Sequence, residues 1–468
     1  MGRRNNHSYY SYGRRRKSRW PKIIIILLIL LVPIVYYLSK SPRFEGDKPQ
    51  IIAPNVIYSS SKKPIEVTLQ DNHLLGSYKA FFTHEGQSIM AGSGKFDKDT
   101  KKVTISIPVP KKLQEKSNDT KWKLVITAKG KSLWSYIYSD SASKTIDIID
   151  DKNPPSIKVI AMSDTIARGG SALVIFEAKD DNLKNAYISI DGIKFEANSY
   201  VKDGYFATLI AWPFKEKYIK IYIVATDTAG NKSKKEIRIS PIRIKYKSSN
   251  VRVSDRFING IISQISSKYS SMANIKNNLK KFKAVNETLR IRNEKTIYKF
   301  TKDISKNRLL NWSIKSFYPL KHAKQTAGFG TKRYYFYKNG KKIISKSYHL
   351  GYDLASVWHA PIISSNSGTV VYAKTNGIYG KMLMINHGFG LYTIYGQCSS
   401  LLVNVGDKVT AGEKIARTGK TGLALGDHLY FGVLVHGIEV WPMDWMKKNW
   451  IKKNIQKVFE KANKIIGK

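Results

Sequence analysis

Residues 23–39, IIIILLILLVPIVYYLS, carry no charged side chain between Lys22 and Lys40. These 17 residues stand at the lower limit of what crosses a bilayer core as a helix. Ahead of them lie Arg3, Arg4, Arg14, Arg15, Arg16, Lys17, Arg19 and Lys22, with no acidic residue. A basic flank of this kind is retained on the cytoplasmic side. The expectation is a cytoplasmic basic tail at 1–22 and a transmembrane helix at 23–39. The chain would pass once through the inner (cytoplasmic) membrane, with the domains after Lys40 exported to the periplasm or cell-wall side. A cleaved signal peptide is the competing reading. The run ends in Tyr36-Tyr37-Leu38-Ser39-Lys40, which lacks the small-residue cleavage pattern. Pro33 is compatible with a membrane helix.

The 468 residues include 80 basic and 34 acidic ones, a formal charge of +46. Such a chain is drawn to polyanions: anionic lipid, acidic wall polymer or nucleic acid. The lysines are spread along the chain, and almost all of the basic mass lies beyond the apolar run. That placement argues against nucleic acid as the partner. Cys398 is the only cysteine, so neither an intrachain disulfide nor a multi-cysteine metal site can form.

The exported part reads as multidomain and mainly β. Over 48–150, segments such as KKVTISIPV (101–109) and WKLVITAKG (122–130) alternate apolar and polar residues, the pattern of a half-buried strand. Asp150-Asp151-Lys152-Asn153-Pro154-Pro155 breaks the pattern and marks a linker. The alternation resumes over 156–242, which reads as a second β-sandwich. Its IYIVATDTAGNK ending (221–232) looks like the last hairpin of bacterial immunoglobulin-like surface domains. Asp180, Asp181 and Asp227 read as turn formers rather than calcium ligands. Residues 254–310 change to helical spacing, with Phe257, Ile261, Ile262 and Ile265 following Ser254 as a cap. They are expected to form a helical connector packed on the last domain, 315–445. The tail 446–468 reads as an amphipathic helix that caps this domain with Trp450, Ile451, Ile455 and Phe459, the alternative being a membrane surface.

Within 315–445, His349 and Asp353 are four apart, which puts them on one face of a strand. An imidazole and a carboxylate so placed can hold zinc. His428 and Tyr430 are two apart and again share a face. Three such side chains and a water make a hydrolytic metal site. Spacing alone is a weak signal for it.

The stretches SYHLGYDLAS (347–356), NSGTVVYA (366–373), GIYGKMLMINHGFGLYTIYGQ (377–397), VNVGDKVTAGEKIARTGKTG (403–422) and GDHLYFGVLVHG (426–437) occur in a telling order. Together they resemble the lysostaphin-type (LytM-like) zinc metallopeptidases over residues 320–445. The helical stretch 257–294 also resembles what precedes this domain in membrane-anchored members. The resemblance implies a small antiparallel β-domain whose groove holds zinc and receives peptidoglycan cross-links. It makes His349 and Asp353 zinc ligands. The family's His-x-His reads His428-Leu429-Tyr430, which keeps the catalytic histidine and puts tyrosine at the third-ligand place. Its Tyr-x-His reads Tyr395-Gly396-Gln397, so Gln397 stands where a second catalytic histidine is expected. His387 matches a recurrent structural histidine. The expected fold is therefore an N-terminal transmembrane helix, two immunoglobulin-like β-sandwiches, a helical connector and a C-terminal antiparallel β LytM-like peptidase domain. The expected function is a membrane-anchored, catalytically degenerate protein that binds peptidoglycan or regulates wall hydrolysis, with another cell-wall hydrolase as a partner. The alternative is an active zinc metalloendopeptidase, with His428 as base and Tyr430 as an unusual ligand.

Overall fold

The structure is a computed structural model that describes residues 20–40, 47–60, 63–97, 99–110, 121–131, 140–305 and 307–467. Residues 1–19 of the expected cytoplasmic tail lie outside them. The chain divides into two units, Met1–Lys152 and Asn153–Lys468.

In the first unit Trp20–Lys40 is helical, with Pro33 inside it. Every side chain from Ile24 to Tyr37 is exposed. The expected transmembrane span needs correction here: among the described residues no helix is long and apolar enough to cross a membrane. The rest of the unit is two sheets. One joins Gln50–Ile52, Ile65–Gln70 and Lys102–Ile107; the other orders Val56–Ser59, Ser141–Asp150, Lys121–Gly130, Leu75–His84 and Gln87–Lys95. The alternation seen in the sequence becomes their shared core. Val67 and Leu69 from one sheet meet Phe82, Leu124, Ile126 and Ile146 from the other.

The second unit begins with two four-stranded sheets built from residues 156–237. Their core is continuous with that of a C-terminal sheet: Phe176, Ile188 and Leu209 belong to the same buried cluster as Leu429, Phe431 and Val433. The C-terminal sheet orders Lys324–Ala327, Tyr352–Ala355, Leu429–Val435, Leu391–Cys398, Lys381–Asn386, Gly368–Thr375 and Lys408–Val409, with Ile438–Val440 pairing on Leu429–Val435. The tail fastens the two parts. Trp445 is fully buried and donates from Nε1 to Ser171 Oγ at 3.0 Å. Ile451, Ile455, Val458 and Ala462 are buried, so the apolar side of the tail is covered by protein. Lys202 Nζ donates to the Ile466 carbonyl at 2.8 Å. Gly467 then ends the last helix at φ 75°, a left-handed cap that favours glycine.

Residues 248–301 form a layer over the opposite face of the C-terminal sheet. Strand Ser248–Val253 pairs in parallel with Thr331–Tyr337, which pairs antiparallel with Ile343–His349. Ser254 caps the helical run that follows, its side chain accepting from the Phe257 N–H at 3.2 Å. Ile258, Ile262, Phe282, Val285, Leu289 and Ile297 are buried against Tyr335, Met384, Tyr392, Ile394 and Leu434 of the sheets. Each such side chain contributes about 1.5–3 kcal/mol by leaving water. The period of two decides what the helices see. Along Leu429–Val435, Leu429, Phe431 and Val433 face the core shared with the first two sheets, whereas Tyr430 and Leu434 face the helices.

Candidate functional site

The helix-facing side of the C-terminal sheet encloses a cavity of about 460 Å³. His349, Asp353, Gln397, His428 and Tyr430 all line it, together with Val251, Phe257 and Arg290 from the helical layer. All five residues singled out in the sequence therefore meet in one place.

They arrive from separate elements. His349 ends strand Ile343–His349, and Asp353 sits in the next strand, Tyr352–Ala355, which belongs to a different sheet. The chain turns at Leu350-Gly351 between them, so the one-strand reason for their proximity is corrected. Gly351 is required at that turn because a Cβ there would lie 2.5 Å from Tyr430 Cζ and 2.8 Å from the Phe431 carbonyl oxygen. Asp353 is paired with Tyr430, and Tyr430 with Gly396, across neighbouring strands, which carries Gln397 to the same cavity. His428 precedes its strand, held by a pair of backbone bonds to Gly419.

At the centre is the Asp353 carboxylate. Its Oδ1 lies 3.3 Å from His349 Nε2 and 3.5 Å from His428 Nε2. Its Oδ2 lies 3.4 Å from the Arg333 guanidinium. The first two distances exceed an ordinary N–H···O bond. Accordingly His349 Nε2, Asp353 Oδ1, His428 Nε2 and Gln397 Oε1 are buried atoms with no hydrogen-bond partner. His428 Nδ1 is 2.8 Å from the Gly426 carbonyl, to which it must donate.

The electrostatics follow from burial. Burial holds His349 below the usual imidazole range, so it is neutral at pH 7. Burial also opposes charge on His428, but the adjacent Asp353 carboxylate outweighs it and the net shift is upward. Asp353 is held below the usual carboxylate range: burial raises it, and the two histidines more than reverse that.

Tyr430 and Gln397 differ from this trio. The Tyr430 ring stands edge-on to His349 and Tyr379, with centroids 5.5 and 5.2 Å away. Burial pushes the phenol well above its ordinary range, so a phenolate is strongly disfavoured. Gln397 adopts φ 63°, a left-handed backbone that few non-glycine residues occupy. Its neighbour Cys398 lies in the core on the other face, and burial pushes its thiol up to about 12. His387 is tied at both ring nitrogens, to the Ser367 carbonyl and the Thr393 hydroxyl, each at 2.8 Å. It is a structural residue. Arg333, Arg290 and Tyr379 are cavity residues that the sequence did not single out. Arg333 enters from a strand whose place in the cavity depends on pairing with residues 248–253.

The family resemblance implies zinc, and the residues fit a divalent ion in part. His349 Nε2 and His428 Nε2 each lie within 3.5 Å of Asp353 Oδ1, but the three atoms do not all lie within 4.8 Å of one another.

Known proteins resemble the C-terminal part of this chain. Residues 347–442 match peptidase family M23. Over 119 residues the chain is 33% identical to an uncharacterized metalloprotease of Buchnera aphidicola, covering 25% of this chain and 32% of that one. Over 101 residues it is 35% identical to the peptidoglycan DD-endopeptidase ShyA of Vibrio cholerae, covering 22% and 23%. The matched stretch thus spans a third or less of these relatives. The solved catalytic domain of lysostaphin from Staphylococcus simulans is 27% identical, with 26% of this chain and 92% of that one covered at a TM-score of 0.23. Residues 347–442 of this chain are a domain of peptidase family M23.

Proposed function

We propose that this protein is a cell-envelope protein whose M23 domain binds peptidoglycan peptides and regulates wall hydrolysis, with little or no cleavage of its own. The observation that carries this reading is the pair of replacements inside the cavity. Gln397 stands where a second proton-transferring imidazole is expected, and an amide cannot transfer a proton. General acid–base assistance is worth about 10²- to 10⁴-fold in such reactions. Tyr430 stands where a third ligand is expected, and its burial disfavours the phenolate that ligation would need. The relatives support the ligand class: ShyA is by name a peptidoglycan DD-endopeptidase. Another cell-wall hydrolase is the natural target of regulation.

In the same reading the uncovered apolar stretch Ile24–Tyr37 associates with the cytoplasmic membrane, and the domains beyond it lie on the periplasmic or wall side. Support comes from the uncovered apolar side chains of Ile24–Tyr37 and the basic residues before them. The β-sheet regions before the connector serve as immunoglobulin-like spacers. The second reading is an active zinc metalloendopeptidase, favoured by the convergence of His349, Asp353 and His428.

The test uses purified full-length protein and its Gln397→His/Tyr430→His double variant, incubated with insoluble peptidoglycan. Co-sedimentation of both, with soluble muropeptides released only by the double variant, is expected. Release by the unaltered protein, lost on His349→Ala, would establish the second reading instead. Absence of co-sedimentation and of release by either would remove peptidoglycan as the ligand.

A further inference from the structure

Among the described tryptophans of the second unit, Trp358 alone is exposed, at 63%. Tryptophan is highly buried on average, and an uncovered indole on a well-held backbone marks a contact surface. The backbone here is well held. The Ala360 N–H donates to the Val357 carbonyl at 3.2 Å and closes a turn. The Thr418 N–H donates to the Ala360 carbonyl at 2.9 Å, and the Arg417 guanidinium to the His359 carbonyl at 3.3 Å. His359 takes φ 52°, an uncommon conformation for a residue with a side chain. Its ring lies nearly parallel to the Trp358 indole, with centroids 4.8 Å and planes 23° apart.

We propose that this turn is a saccharide-binding platform that seats an acetamido sugar of the glycan strand beside the cavity. The proposal rests on the peptidoglycan reading above and gives the sugar, as distinct from the peptide, a place of its own.

Three observations carry it. First, an indole face is flat and electron-rich, and it attracts C–H groups polarised by neighbouring oxygens, which is what the apolar face of a sugar ring presents. The Lys420 ammonium, 5.6 Å from the ring centroid, supplies a donor for hydroxyls at the rim of such a ring. Second, a hydrogen-bonding place stands next to the stack. The Asp427 side chain is 7% exposed; its Oδ1 accepts from the Thr418 hydroxyl at 2.5 Å, while Oδ2 is buried with no hydrogen-bond partner. His359 Nε2 lies 3.8 Å from Oδ2, too far for a direct bond. A hydroxyl about 2.8 Å from each atom fits between them, accepting from Nε2–H and donating to Oδ2. The His359 side chain is 46% exposed, so a hydroxyl reaches this gap from solvent. A purely apolar partner brings no hydroxyl and leaves Oδ2 unserved. Third, the platform is continuous with the cavity, since Asp427 and the exposed Leu425 also line it. A peptide in the cavity and the sugar that carries it are then held together, and linking two weak contacts raises the affinity for the polymer above that of either.

Full-length protein titrated with a tetramer of N-acetylglucosamine, which carries no peptide, tests this by calorimetry and by saturation-transfer NMR. Binding is expected, with the ring C–H protons of the sugar receiving most of the saturation. Trp358→Ala should weaken it about tenfold, Trp358→Phe less, and His359→Ala several-fold, with circular dichroism confirming that each is folded. Tyr218→Ala, which removes an exposed ring elsewhere, should leave it unchanged. No saccharide binding by the unaltered protein, or equal binding by folded Trp358→Ala, overturns the platform. Weakened binding of a sugar-free stem peptide by Trp358→Ala, with saccharide binding kept, makes the turn a peptide surface and overturns it equally. Co-sedimentation with peptidoglycan separates this inference from the reading beneath it. Sedimentation without saccharide binding removes the platform alone, whereas absence of both removes the peptidoglycan reading as well.

Discussion

Gln397 bears two separate costs, and replacing it measures both. Its backbone sits at φ 63°, which costs a non-glycine residue on the order of 1–3 kcal/mol. Its Oε1 is buried without a partner, a further penalty of about 1–3 kcal/mol. Methionine matches the length of glutamine and has no amide, so Gln397→Met removes only the second cost. Gln397→Gly removes both but adds roughly 1 kcal/mol of unfolded-chain entropy. In chelator-treated full-length protein, Gln397→Met should raise the melting temperature of the second unit by about 2–6 °C. Gln397→Gly should be neutral or mildly stabilising. Gln397→Val keeps the strained backbone, adds a β-branch and should lower it. The assay is thermal unfolding followed by near-ultraviolet circular dichroism, which reports packing around the cavity tyrosines. A fall in melting temperature for Gln397→Met without metal would refute this reasoning, because the amide would then be making a favourable contact. A strained, unsatisfied residue kept at the centre of a cavity points to use rather than stability.

Other outcomes follow from buried groups elsewhere. Burial pushes the Asp444 carboxyl up to about 7, with Lys447 opposing in part. Its folded value lies above the unfolded one of about 3.9, so its stabilising contribution is full below that pH and is lost as pH rises toward 7. Asp444→Asn should therefore gain up to about 4 kcal/mol relative to the parent at pH 8 and much less at pH 5; equal differences at the two pH values would count against it. Ile455 is 2% exposed beneath the tail, so Ile455→Asp should lower the melting temperature while leaving retention in membranes unchanged. Loss of membrane retention without a change in melting would instead make the tail a membrane contact. Phe282 is fully buried under the helical layer, and Phe282→Ala should cost about 3–5 kcal/mol and raise amide exchange over 278–301 first.

What could be read from the sequence was whatever depends on short period or short spacing. Lys102–Ile107 and Lys121–Gly130 form where alternation places strands, because side chains of period two need only one apolar face to fix them. Ser254 caps the helical run as its position before Phe257 suggests. Gln397 and Cys398 divide between cavity and core through the left-handed backbone of Gln397 and a register shift beside it, since plain alternation would put Gln397 on the core face with Tyr395. What depends on pairing partners far along the chain was not legible. His349 and Asp353 meet, but across a break between two sheets rather than along one strand. Arg333 reaches Asp353 because residues 248–253 add a parallel strand beside residues 332–337, a register that no local pattern announces. The apolar run at 23–39 was legible as a helix; its relation to a bilayer depends on partners outside the chain.

The least legible point is also the one with most chemical consequence. His428 and Tyr430 have even spacing and do share a face, yet they do opposite things. The strand starts at Leu429, so His428 sits on the preceding loop, where the Gly419 pairing and the Gly426 carbonyl set its ring. Tyr430 lies inside the strand beneath the helical layer, where its ring stands edge-on to Tyr379 and water is excluded. Residue 428 therefore presents its Nε2 to Asp353, while residue 430 presents an edge of its ring to His349. The Gln397→His/Tyr430→His double variant thus asks whether the loop histidine can move protons once both cavity positions carry imidazoles.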